Sequence, residues 1–361
     1  MSADGVGVAE APSPLAAGLR VRERTRRILR FSVGTAIGSG FAYLIGFELP
    51  YLVPVLIATL LASPAPRPNL RSGIAFLGPI ATAAVVGVFL TRYLLTYRAI
   101  FLLVEFLVLY RVYYGLAGGA NKLRLVWLLI IALIVPLVGT DSIALSIGVA
   151  IGLVYGAAIA VGVTWFAHVV VPDPPSPGRG PGDSPRTGKQ EPPPPVPARA
   201  RFARLNVMVV FPVVAAFFFF GLTSYALVLV YIALLSLTPN VEAGWKQGKA
   251  MISGNLIGGA GAIVFYNLLV AYPTITMFLL LTFLAALIFS DLIFSDRPAA
   301  PLFRTAFTAV LILVGASLMA TGADAASEFY ARIAQVIAAV MYVALAFGFL
   351  EYLQQQRVKK E

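Results

Sequence analysis

The sequence predicts an all-α, polytopic membrane protein of about twelve transmembrane helices arranged as two parallel six-helix repeats. Three observations predict it. Hydrophobic residues make up 59% of the 361-residue chain and charged residues only 12%, about half the charge of a soluble domain. Apolar runs recur from Ile28 to Leu353, so one anchor does not inflate the strongly positive mean hydropathy of +0.88. A proline-rich stretch then divides these runs into two comparable sets.

A helix needs about 20 apolar residues to cross the hydrocarbon core. Candidate spans cover 28–46, 51–63, 72–94, 97–117, 123–139, 142–170, 204–222, 224–238, 249–271, 273–294, 302–321 and 328–353. The short ones, 51–63 and 224–238, suit tilted partners, re-entrant segments or half-spans. The start of the chain resembles a signal peptide in its arginines, but the long following run has no convincing cleavage site and reads as an uncleaved first span.

The basic residues orient the spans. With both termini inside, only Arg92, Arg98 and Arg332 fall in outer loops, and the other lysines and arginines lie in inner ones. That asymmetry is the positive-inside pattern. The net charge of +11 therefore marks membrane-orienting loops rather than a nucleic-acid surface. The expected location is a bacterial inner (plasma) membrane, multi-pass, with cytoplasmic termini and the lipid bilayer as the main partner.

The expected organisation is a basic cytoplasmic tail at 1–26, a first transmembrane repeat at 27–171, a proline-rich cytoplasmic linker at 172–200, a second repeat at 201–354 and a tail at 355–361. Prolines deny the linker helix and sheet. A shift of 176 positions places Gly78 on Gly254, Phe89 on Phe265 and Gly139 on Gly315. An even number of spans per half makes the repeats parallel, a plan common in transporters, which carry their path at the repeat interface.

Small residues four apart allow close helix approach. Gly148, Gly152 and Gly156 form one such stripe, and Gly254 and Gly258 form a pair. These suit tight packing within the chain and equally a homo-oligomer. On the ninth span, Asn255, Gly259, Ala262 and Tyr266 share one face and make a candidate substrate-binding surface for a flat ligand.

Charges inside a membrane need a reason, since each costs roughly 2.5–3.5 kcal/mol on insertion scales. Glu105 lies about two turns into the fourth span. Arg98 is seven residues before it, and Arg92 ends the preceding span nearby. Two readings stand. One is an outward structural ion pair. The other is a proton-coupling carboxylate beside cations that bind an anionic substrate. Asp291, near the inner end of the tenth span, is a second proton-coupling candidate, or else an interfacial residue beside Asp296 and Arg297. His168, the lone histidine, reads as interfacial beside Trp165.

Other chemistries are excluded. The chain has no cysteine, hence no thiol catalysis or thiolate metal site. No nucleotide-binding loop or catalytic constellation is present, so neither an enzyme nor a cofactor nor a metal is expected. Transport would draw on an ion gradient or run passively.

The chain resembles the fusaric acid resistance and aromatic acid exporter superfamily, in a compact branch without large cytoplasmic domains. Each half opens with an arginine-led span, Arg27 to Phe31 and Arg201 to Leu205. Leu52-Val53-Pro54-Val55-Leu56 leads into Leu61-Ala62-Ser63-Pro64. In the second half, Thr238-Pro239-Asn240-Val241-Glu242-Ala243-Gly244 runs on to Gly254-Asn255-Leu256-Ile257-Gly258-Gly259. The resemblance implies proton-driven efflux of aromatic carboxylic acids, with a periplasmic adaptor (membrane-fusion) protein as a partner, and gives weight to Asn240 to Gly259. The alternatives are a non-transporting scaffold of the cell envelope, a passive anion channel, and a major-facilitator exporter, whose acidic-and-basic loop signature is missing from Pro64 to Ser72.

Overall fold

The structure, a computed structural model, describes residues 14–46, 50–63, 69–172, 194–237 and 241–319, with helical residues between 331 and 349. Among the described residues every regular element is helical. The order is α1 (Pro14–Leu44), α2 (Leu52–Leu61), α3 (Leu70–Phe89), α4 (Arg98–Ala117), α5 (Lys122–Gly139), α6 (Ile143–Val170), α7 (Val196–Phe220), α8 (Ala226–Leu235), α9 (Val241–Ala271), α10 (Ile275–Ile293) and α11 (Ala300–Met319).

Among the described residues, seven helices are long and apolar enough to cross a bilayer: α3 with the turn that extends it to Leu94, α4, α5, α6, α7, the Ser253–Ala271 part of α9, and α10. The chain is a multi-pass membrane protein. Its outer surface agrees, since Leu103 and Leu107 of α4 and Leu280, Leu284 and Ile288 of α10 are large, apolar and exposed. In water such a surface would drive association; in lipid it is solvated.

The remaining expected spans differ from that plan in instructive ways. α1 is helical but polar within, because Arg30, Ser32, Thr35 and Ser39 are all buried. Their hydroxyls are satisfied locally: Thr35 donates to the Phe31 carbonyl at 2.7 Å and Ser39 to that of Thr35 at 2.9 Å. α2 and α8 have ten residues each, about 15 Å of helix at 1.5 Å per residue, against a core of about 30 Å. Pro54 sits in the first turn of α2, where its missing N–H leaves no internal bond unmade. α7 begins at Val196, inside the stretch expected to be linker, so Arg199 is already helical. Residues 173–193 of that linker, the tails 1–13 and 351–361, and Asn240 lie outside the described residues, as does half of the twelfth expected span.

Side-chain caps mark several helix starts. Asn69 accepts from the Ser72 N–H at 2.8 Å, Asn121 from that of Arg124 at 3.2 Å, and Thr274 from that of Met277 at 3.2 Å. Each satisfies a donor that the first helical turn leaves open. α7 stops at Gly221, whose φ of +62° is the left-handed C-cap that glycine adopts without strain.

The helices pair in a regular scheme. α1 runs along α10, and α4 along α7. α3 lies on α5, and α9 on α11. α5 contacts α4 and α8, while α11 contacts α10 and α2. Two apolar clusters result. One joins α1, α2, α3, α6, α9, α10 and α11, the other joins α4, α7 and α8, and α5 contributes to both, with Ile131 and Val135 in the first and Leu129 and Leu133 in the second.

The helix ends also sort by charge. Arg24 of α1 binds Asp291 at the end of α10, and Arg26 donates to the Pro172 carbonyl just past α6. Arg304 of α11 donates to the carbonyl of Ala62 at the end of α2, at 3.0 Å. One end of the bundle is therefore strongly basic. The opposite end collects the ends of α3, α5 and α7 and the starts of α4 and α6.

Candidate functional site

The end opposite the basic one holds an open cavity of about 480 Å³. Local backbone events shape it. α3 continues into a π-helical turn at Leu90–Leu94, closed by the Leu95 N–H donating to the Leu90 carbonyl at 3.1 Å. Such turns insert an extra residue and re-aim the side chains around it. Thr91 then lines the cavity and donates to the Gly87 carbonyl at 2.8 Å. Thr140 and Asp141 come from the turn between α5 and α6, and Phe218, Phe219 and Phe220 from the end of α7. Arg98, at the first turn of α4, completes the rim.

Below this cavity stands Glu105. The buried stripe of α4 runs Phe101, Glu105, Leu109, Val112, at spacings that keep all four on one face. Phe101 lines the cavity. Glu105 is one turn deeper, fully buried, and neither of its carboxylate oxygens has a hydrogen-bond partner among the described residues. Arg98 and Glu105 share a face as the spacing predicts, but they form no ion pair. The two ion pairs among the described residues are Arg24–Asp291 and Arg27–Glu23. Further along the same seam, the Tyr113 hydroxyl donates to the Ala233 carbonyl of α8 at 3.1 Å. Asn206 of α7 is also buried, and its amide donates to the Phe202 carbonyl at 2.8 Å.

The other expected site residues lie elsewhere. Arg92 is exposed on the π turn and is not part of the cavity lining. Asp291 is exposed at the basic end and bound to Arg24 at 2.7 Å. On α9, Asn255, Gly259 and Ala262 are buried and Tyr266 is half-buried, so this face does turn inward. The Tyr231 hydroxyl of α8 lies 3.5 Å from Asn255 Oδ1. Gly254 and Gly258 meet α11: a Cβ on Gly258 would run into the Ala306 carbonyl, and one on Gly254 would lie 2.9 Å from Thr305 Cβ. None of these residues borders the large cavity. On α6, Gly152 and Gly156 are buried and Gly148 half-buried.

Sequence reasoning missed two features. The first is the cavity itself, assembled from the ends of five segments that no local pattern links. The second is the burial of His168, which lies in the last turn of α6 but is packed inside the bundle, with Nδ1 2.9 Å from the Thr164 carbonyl. Since a carbonyl only accepts, that contact places a proton on Nδ1. Among the described residues no three acidic, histidine or cysteine side chains converge to hold a metal ion.

The comparisons with known proteins bear on the same half of the chain. No curated protein and no solved structure matches the sequence. Residues 27–167, which run from α1 to α6 and carry Arg98, Glu105 and Asp141, match the model of a family described as a protein of unknown function (DUF2955).

Proposed function

We propose that the protein is an inner-membrane secondary transporter that exports small aromatic or amphipathic organic acids, driven by protons. The observation that carries this reading is Glu105: fully buried, without a partner for either oxygen among the described residues, and one turn beneath a cavity rimmed by Arg98. A structural position in this apolar seam would take leucine at lower free energy. The carboxyl is accounted for if it takes up and gives up a proton as water alternately leaves and reaches it. Arg98 supplies the positive, forked donor that a carboxylate substrate needs, and the phenylalanines at the end of α7 supply an apolar wall for its ring.

A plan of two parallel repeats supports the same reading. Adding six to each helix number turns the α4–α5 pair into α10–α11, the α3–α5 pair into α9–α11, and exchanges α1–α10 with α7–α4. The family match ends where the first six helices end. The basic end then lies in the cytoplasm by the positive-inside rule, and the cavity opens outward. Resemblance to the fusaric acid resistance and aromatic acid exporters points to the same substrate class and to a periplasmic adaptor as partner.

The test is efflux from cells lacking their own exporters, loaded with a panel of aromatic acids. Energy-dependent loss of at least one acid is expected from the wild type, abolished by an uncoupler and by Glu105→Gln. If no acid moves from cells with verified, membrane-inserted protein, the transporter reading fails.

A further inference from the structure

The floor of the open cavity contains two rings in contact. Phe101 of α4 and Phe218 of α7 both line it, with centroids 4.6 Å apart. Phe101 is 1% exposed, so its ring closes the seam rather than standing in the cavity. Glu105 follows four residues later, on the same face and about 6 Å deeper along the axis. The ring pair therefore lies between the cavity and the carboxylate.

The other half of the bundle offers a comparison. There Phe278 of α10 and Tyr43 of α1 make a similar pair at 4.9 Å. They border a cavity of only about 10 Å³, the size of one water. Four residues after Phe278 stands Thr282, buried like Glu105. Its hydroxyl donates to the Phe278 carbonyl of its own helix at 2.8 Å. A carboxylate in that place has no such remedy, because it accepts and the helix carbonyls do not donate. One half thus sets its aromatic pair over a self-satisfied hydroxyl beside a nearly filled space. The other sets its pair over an orphaned carboxylate beneath an open one.

We propose that Phe101 and Phe218 form an aromatic gate that closes Glu105 off from the open cavity, and that the two rings part to let water reach the carboxylate. This deepens the transporter reading and rests on it for the gate's purpose, although the barrier itself is testable without transport.

The natural chain has no cysteine, so Glu105→Cys introduces a single thiol. The protein is placed in lipid nanodiscs, where both faces meet a membrane-impermeant thiol reagent. Thr96→Cys, on the cavity lining, reports open access. Glu105→Cys is expected to react roughly a hundredfold more slowly than Thr96→Cys, and removal of either ring, by Phe101→Ala or Phe218→Ala, to speed it about tenfold or more. Phe278→Ala in the other half leaves the Glu105→Cys rate unchanged. Thr96→Cys in the ring-deleted backgrounds shows that the fold is kept; where an alanine variant does not fold, Phe101→Leu and Phe218→Leu make the same test. The proposal is overturned if Glu105→Cys reacts as fast as Thr96→Cys, or if ring removal leaves its rate unchanged while Thr96→Cys still reacts. Failure of efflux leaves this result standing, and failure of the gate leaves efflux standing.

Discussion

Arg24 reaches Asp291 across 267 positions of sequence, donating at 2.7 Å to its side chain and at 2.8 Å to its main-chain carbonyl. The pair ties the first helix to the tenth at the basic end, with both side chains about half exposed. Exposed pairs contribute about 1 kcal/mol or less. Asp291→Asn is therefore expected to lower thermal stability in detergent by no more than about 1 kcal/mol and to leave energy-dependent efflux intact. Loss of efflux in a stable Asp291→Asn protein would give that carboxylate the coupling role.

Glu105 gives the opposite pattern. Glu105→Leu removes two buried oxygens without partners, a feature that costs about 1–3 kcal/mol per unsatisfied group. The leucine variant is expected to melt at higher temperature than the wild type and to show no uncoupler-sensitive efflux. A variant that is destabilised and still exports would remove both the energetic and the functional account.

Close approach of α9 to α11 depends on Gly258, where an added Cβ meets the Ala306 carbonyl, a backbone atom that cannot swing aside. Gly258→Ala is expected to cost about 1–3 kcal/mol, as overpacking does. Gly78→Ala is the control, because a Cβ there meets nothing within 4 Å, and its effect is expected within about 0.5 kcal/mol of zero. Thermal unfolding of the two purified variants side by side decides it.

At the cavity rim, Arg98 and Asp141 carry opposite charges. Arg98→Ala is expected to raise the half-saturating concentration of an exported acid about tenfold, the equivalent of one charged hydrogen bond. Asp141→Asn is expected to lower it, since a carboxylate no longer faces an anionic substrate. Equal behaviour of both variants toward charged and neutral substrates would take Arg98 out of recognition.

The helices were legible because each apolar run is its own signal, and α3 to α7 and α10 need no distant information to be placed. Glu105 was legible for the same reason, as a lone charge inside such a run. α1 was harder. Its serines, threonines and glycines lower its hydropathy, and only the packed bundle shows that they face inward. The fate of Asp291 was hidden because its partner lies near the other end of the chain. The cavity was hidden too, since Thr91, Asp141 and Phe218 come from three separate helix ends. Periodicity reports which face of a helix is buried, and it carries no record of which helix it is buried against.

The polar interior of α1 has a consequence for how the protein is made. A segment bearing Arg30, Ser32, Thr35 and Ser39 gains little from lipid when it emerges from the ribosome. Its main packing partner, α10, begins only at Ile275, long after α1 ends at Leu44. The first helix must therefore be held at the insertion machinery, or shielded by α2 and α6, through most of translation. Biogenesis of this chain is expected to depend on delayed release, with the earliest segment among the last to settle.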